Sequence, residues 1–129
     1  MTTTMRLRPS RDVRAVLRSG SSARGEDATV RVRQRPDADG APARWTAAAT
    51  RGFPSAVVRN RAKRRARAIV RELELPPGVD LVIICRPGVA HRRWSELRPA
   101  VRGLVQHALQ RELGDEASAA ATTTVGSLR

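Results

Sequence analysis

The chain has 129 residues, with 25 Lys or Arg against 12 Asp or Glu, a formal net charge of +13 and a pI near 11.9. That length suits one small domain with a single core, and that charge points to a polyanionic partner, nucleic acid before anionic membrane. No apolar run approaches the ~20 residues of a spanning helix, residues 1–9 hold no apolar signal core, and the single Cys85 excludes an internal disulfide and a cysteine-based zinc site.

Residues 1–6 are expected to be a disordered N-terminus. A short helix follows from Ser10, an N-cap candidate, with Asp12 in its first turn near the positive end of the dipole. Val13, Val16 and Leu17 share its apolar face, and Gly20 ends it. Residues 21–27 read as loop. From Thr29 to Arg35, Val30 and Val32 alternate with Thr29, Arg31 and Arg33, the period of a half-buried strand. The sequence PDADGAP at 36–42 is a turn. Residues 45–50 read as a second strand, although their alanines form β-structure poorly.

Gly52-Phe53-Pro54-Ser55 then breaks the chain, and Ser55 is placed to N-cap a basic helix. Seven of the thirteen residues from Arg59 to Arg71 are cationic. Val58, Ala62, Ala66, Ile69, Val70 and Leu73 recur among them at spacings of three and four, so one stripe is buried while the charges stand around the rest of the helix. Guanidinium groups held in fixed positions suit a phosphate backbone. Pro76-Pro77-Gly78 stops this helix.

Residues 81–85 (LVIIC) are apolar on both faces, hence an inner strand, and Arg86-Pro87-Gly88 turns out of it. Ser95-Glu96 opens a last helix whose stripe is Leu97, Val101, Leu104, Val105, Ala108 and Leu109. Pro99 is read as lying in its first turn, where no intrahelical N–H partner is lost. Residues 114–129 cannot support a core and are expected to be a disordered tail. The order predicts an α+β class domain over residues 7–113: a single-domain α/β sandwich with one mostly antiparallel sheet, the basic and C-terminal helices packed on one face, and the other face at least partly open.

No catalytic constellation is visible. His91 and His107 fall in a loop and on the last helix, Asp12, Asp27, Asp37, Asp39 and Asp80 are scattered, and Asp80 reads as a turn or capping residue. No metal-ligating cluster is legible, and Cys85 reads as a small core residue. A stand-alone hydrolase is therefore disfavoured. A DNA-reading helix would pair with a second helix through a tight turn, whereas here the basic helix leads into strands. Composition leaves a ribosomal protein open.

Four ordered segments carry a more specific reading. Ala56-Val57-Val58-Arg59-Asn60-Arg61-Ala62-Lys63-Arg64-Arg65-Ala66-Arg67 resembles the "AVxRNRxKRRxR" helix of the protein component of bacterial ribonuclease P. Leu7-Arg8-Pro9-Ser10-Arg11-Asp12-Val13 with Val16, Leu17 and Gly20 is similar to that family's "LRxSxDFxxVFxxG". Gly78 to Gly88 is similar to "GxDLVVIARPG", and Trp94-Ser95-Glu96-Leu97 fits the start of its final helix. The family's "SVSKKVGNAV" is here AATRGFPSAV, residues 48–57. Its second cation becomes Gly52, its glycine Pro54 and its asparagine Ser55, while the N-terminal phenylalanines become Val13 and Leu17.

The resemblance implies a non-catalytic subunit of a cytoplasmic ribonucleoprotein that removes the 5′ leader of precursor tRNA. Its partners would be ribonuclease P RNA and precursor tRNA, with no membrane and no DNA. Mg2+ would be held mainly by the RNA subunit, and neither a catalytic nor a metal-binding residue is assigned to this chain. It implies RNA binding by Arg59, Asn60, Arg61, Lys63, Arg64, Arg65 and Arg67. A leader groove would be lined by Val13, Arg14, Leu17, Arg31, Arg33, Thr50 and Arg51. Val and Leu lack the aromatic faces that stack on bases for about 1–3 kcal/mol each, which shifts leader binding here toward charge.

Overall fold

The strand expected near residue 30 spans Ala28–Gln34, and its alternation divides the molecule into two sides. Ala28, Val30 and Val32 are buried on one side, while Thr29, Arg31 and Arg33 stand half-buried on the other. The computed structural model describes residues 4–7, 10–36 and 40–114. In chain order its elements are β1 (Thr4–Arg6), α1 (Ser10–Ser19), β2 (Ser21–Arg24), β3 (Ala28–Gln34), β4 (Ala43–Ala49), α2 (Ala56–Arg71), β5 (Val79–Cys85), α3 (Gly88–His91) and α4 (Trp94–Leu113). The strands form one sheet in the order β1-β4-β5-β3-β2.

β5 is central. It runs antiparallel to β3 through Val32–Leu81 and Val30–Ile83, and parallel to β4 through Trp45–Leu81 and Ala47–Ile83. Burial on both faces is why its sequence is an unbroken apolar run. β1 adds a parallel edge to β4, and β2 an antiparallel edge to β3. The α+β sandwich is thus the expected one. Its sheet is more mixed than "mostly antiparallel" implied, with two parallel and two antiparallel interfaces. The β4–α2–β5 crossover accounts for one parallel interface, since a helix that joins neighbouring strands leaves them parallel, and β1 laid along β4 supplies the other.

α2 and α4 cover one face, as expected. Ala62, Ala66, Ile69 and Val70 from α2, and Leu97, Val101, Val105, Ala108 and Leu109 from α4, meet Val30, Val32, Leu81 and Ile83. Full burial stabilises each larger side chain by about 1.5–3 kcal/mol, so this side dominates the fold. On the opposite face α1 lies alone, with Val16 and Leu7 against Val82. The turn out of α1 demands glycine at position 20: a Cβ there would lie 2.6 Å from the Val16 carbonyl oxygen and 2.7 Å from that of Val32. Glu112, near the end of α4, ties that helix to the far sheet edge by accepting from Ser21 Oγ at 2.7 Å and from the Gln34 amide at 2.8 Å.

Several local expectations change. Thr4–Arg6, expected to be disordered, pair with β4 as β1, a partnership too distant in sequence to be read. Ser21–Arg24, expected as loop, form β2 for the same reason. His91 ends the short helix α3 rather than lying in a loop. α2 ends at Arg71, before the prolines that were expected to stop it. α4 begins at Trp94, so Pro99 is its sixth residue, past the first turn. The acceptor it leaves unpaired is the carbonyl of Ser95, an exposed residue open to water. Residues 1–3 and 115–129, and Asp37 and Asp39, lie outside the described residues.

Candidate nucleic-acid interface

Ser55 starts the basic helix as expected: its extended backbone (φ −160°, ψ 164°) leaves Oγ accepting from the Val58 amide at 3.2 Å. Successive helical residues turn by about 100°. With Ala62, Ala66, Ile69 and Val70 inward, Asn60 and Arg64 point away from the sheet, Lys63 and Arg67 line one flank, and Arg61 and Arg65 the other. Arg59, Asn60, Arg61 and Arg64 are exposed, while Lys63, Arg65 and Arg67 are half-buried.

What distinguishes this helix is the lack of compensating charge. Among the described residues the ion pairs join Arg35, Arg44, Arg92 and Arg98 to Asp12, Glu26, Asp27, Glu72, Asp80 and Glu96. None involves a cation of α2. Those six carboxylates are held by arginines elsewhere in the fold, which leaves the α2 charges free to act on a polyanion.

Arg65 stands apart from its neighbours. Its two terminal nitrogens each donate at 2.7 Å, to the carbonyls of Val89 and Arg92, clamping α2 to the end of α3. Its guanidinium carbon lies 5.6 Å from the centroid of the Trp94 ring, and burial, then the nearby Arg61, lowers its pKa. The sequence groups Arg65 with the RNA-facing cations; to that the structure adds a bracing task in the fold. On the other flank Lys63 and Arg67, with Arg86, lie near enough to oppose the upward pKa shift of Cys85.

The second face of the sheet holds most of the proposed leader-groove residues, but not as one cluster. Arg31 stands beside Val82 and donates to the Gly20 carbonyl at 3.3 Å, while its Nε is buried with no hydrogen-bond partner. Arg14 and Leu17 are exposed on α1; Val13 is half-buried against the Leu7–Val16–Val82 cluster, part of the floor rather than a free wall. Thr50, held to the Cys85 carbonyl by its amide at 2.9 Å, and exposed Arg51 follow the end of β4. Arg33 instead shares the register row of Asp80 and Arg44 at the opposite end. Six strand residues put it about 20 Å from Thr50 and Arg51. Arg24, opposite Thr29, adds an exposed cation to this face that was missed because its segment read as loop.

Asp80 is neither a turn nor a capping residue. Fully buried, it accepts from Arg44 and Arg35. Asp12 is bound by Arg44 and Asp27 by Arg92, while His91 and His107 are exposed on separate helices. Among the described residues, no three His, Cys, Asp or Glu side chains come together. No helix among them is long and apolar enough to cross a membrane.

Comparison with known proteins places this chain. The family model described as Ribonuclease P matches residues 1–109. The chain belongs to the ribonuclease P protein family. The ribonuclease P protein component of Kocuria rhizophila is 34% identical over 108 residues, covering 82% of this chain and 93% of the relative. That of Symbiobacterium thermophilum is 38% identical over 111 residues, covering 83% and 95%. The solved ribonuclease P protein from Thermotoga maritima is 28% identical with a TM-score of 0.64, over 77% of this chain and 93% of that one. The Staphylococcus aureus protein, at 17% identity and a TM-score of 0.68 over 82% and 96%, shares the fold. As a ribonuclease P protein component, the chain is a subunit of an endoribonuclease holoenzyme that acts in maturing the 5′ end of tRNA.

Proposed function

We propose that α2 docks onto the catalytic RNA through Arg59, Asn60, Arg61, Lys63, Arg64 and Arg67, with Arg65 holding the helix in place. In this reading the face carrying α1, Arg31, Thr50 and Arg51 takes the 5′ leader of precursor tRNA. The observation that supports it is the absence of any ion pair on α2 among the described residues. Charges this dense repel one another unless a polyanion neutralises them. The holoenzyme would work in the cytoplasm.

Among the described residues Asp12, Asp27 and Asp80 are already bonded to arginines, which supports a reading in which magnesium is held mainly by the RNA subunit. The protein screens phosphate repulsion, and that lowers the metal concentration at which RNA and substrate associate.

The test is cleavage of precursor tRNA by the cognate ribonuclease P RNA at low magnesium, with and without the protein. Stimulation that is lost when Arg59, Arg61 and Arg64 become alanine is expected. An RNA active at high magnesium yet indifferent to a folded protein would overturn the reading.

A further inference from the structure

Trp94 is the anomaly of the α4 side. It opens α4 and is 38% exposed, on a helix whose apolar stripe otherwise packs into the core. A tryptophan left at a surface gives up hydrophobic stabilisation unless something covers it in use. Its neighbours are cationic. Arg65 holds its guanidinium 5.6 Å from the ring centroid while two 2.7 Å bonds to the Val89 and Arg92 carbonyls fix that guanidinium in place. Arg61 stands close enough to depress the Arg65 pKa, and Arg93, next in sequence, is exposed. His91 and Arg93 also line a shallow depression of about 600 Å3 between α3 and α4, with Arg92 and Glu96. The ring thus lies partly open against a guanidinium that is itself fixed, beside the flank of α2 that carries Arg61.

We propose that Trp94, braced by Arg65, is a stacking platform for an unpaired base of the RNA subunit, extending the α2 interface onto α4. The inference rests on the reading of α2 as the RNA-docking helix and adds a contact of different chemistry. An aromatic face engages a base of any sequence provided it is unstacked, so the platform selects a loop, bulge or strand end rather than a helix. The Arg65 guanidinium lends further attraction through its own plane.

The chain has two tryptophans and no tyrosine, so Trp45→Phe leaves Trp94 as the sole reporter of emission excited at 295 nm. In the full-length protein titrated with the cognate ribonuclease P RNA, stacking quenches that emission in step with complex formation followed by gel mobility. In the otherwise native chain, Trp94→Leu weakens binding about five- to a hundredfold, the range expected for one lost stack. Trp94→Phe retains most of the affinity, and neither changes the dependence of log K on log salt, because no phosphate contact is removed. Unchanged emission in a fully formed complex, with Trp94→Leu binding as tightly as the parent, would overturn the inference while leaving the α2 reading intact. An RNA that binds no form of the protein would sink both.

Discussion

Asp80 and Arg44 face each other at one register position between β4 and β5, and their side chains close a two-bond fork: Nε donates to Oδ1 at 2.8 Å and Nη2 to Oδ2 at 2.7 Å. Arg35, just past β3, donates to the same carboxylate, and Arg44 also reaches Asp12 of α1 at 3.2 Å. One buried acid therefore joins three central strands to the lone helix on the second face. The hydrogen bond to Asp80 raises the Arg44 pKa, against the opposing effect of burial. Asp80→Ala strands two partly buried guanidinium groups and is expected to cost about 3–5 kcal/mol. Urea unfolding measures this, and a loss below about 1 kcal/mol would mean that water replaces the carboxylate.

Arg64 and Arg65 are adjacent in sequence and opposite in task. Arg64 is exposed and unpaired among the described residues, so Arg64→Ala should leave stability within about 0.5 kcal/mol. It should lower the slope of log K against log salt for RNA binding by just under about one, the share of a single phosphate contact. Arg65→Ala removes the donors to two carbonyls and is expected to cost about 1–3 kcal/mol in unfolding experiments. Arg65→Lys should not restore it, because one ammonium cannot reproduce the fork. Equal stability losses for the two alanine variants would contradict this division.

The elements legible in the sequence are those with local signals. α1, α2, α4 and β3 each carry a periodicity of their own, β5 is an unbroken apolar run, and the Ser55 cap was readable from one residue. β1 and β2 were not, because three or four residues hold no periodicity and their strand character comes from partners far along the chain. The same limit hid which arginines are structural. Arg35, Arg44, Arg65, Arg86 and Arg92 look like Arg64 in a sequence, and only the acceptors brought to them by tertiary packing separate them. The basic run was therefore legible as a helix, while the scatter of Arg33 and Arg51 to opposite ends of the sheet was not.

Two of the departures from the family pattern before α2 have physical content. Serine and asparagine cap helices about equally well, so Ser55→Asn should leave stability nearly unchanged, whereas Ser55→Ala should cost about 1 kcal/mol. Gly52 stands where the family has a cation and adopts φ +98°, a conformation that suits glycine. Gly52→Lys should therefore gain RNA affinity at low salt while losing about 1 kcal/mol of stability. A lysine variant as stable as the parent would mean that the loop relaxes to a negative φ.

Cys85 gives the fold a pH dependence at its alkaline edge. Burial pushes the thiol from an ordinary 9.0 up to about 12, against the opposing influence of Lys63, Arg67 and Arg86. Between these values the unfolded chain releases the thiol proton and the native chain keeps it. The native state then binds more protons, so stability falls as pH rises, with a slope of up to about 1.4 kcal/mol per pH unit. Well below pH 9 both states are protonated and the contribution is flat. The chain has no tyrosine and one lysine, so few other groups titrate in this window. Cys85→Ala should be the less stable protein at pH 7.5, because it leaves a small cavity, yet should lose less on going to pH 10.5. Parallel urea titrations of the two proteins at these pH values should converge. A constant gap between them would mean that the thiol ionises as readily in the native core as in the unfolded chain.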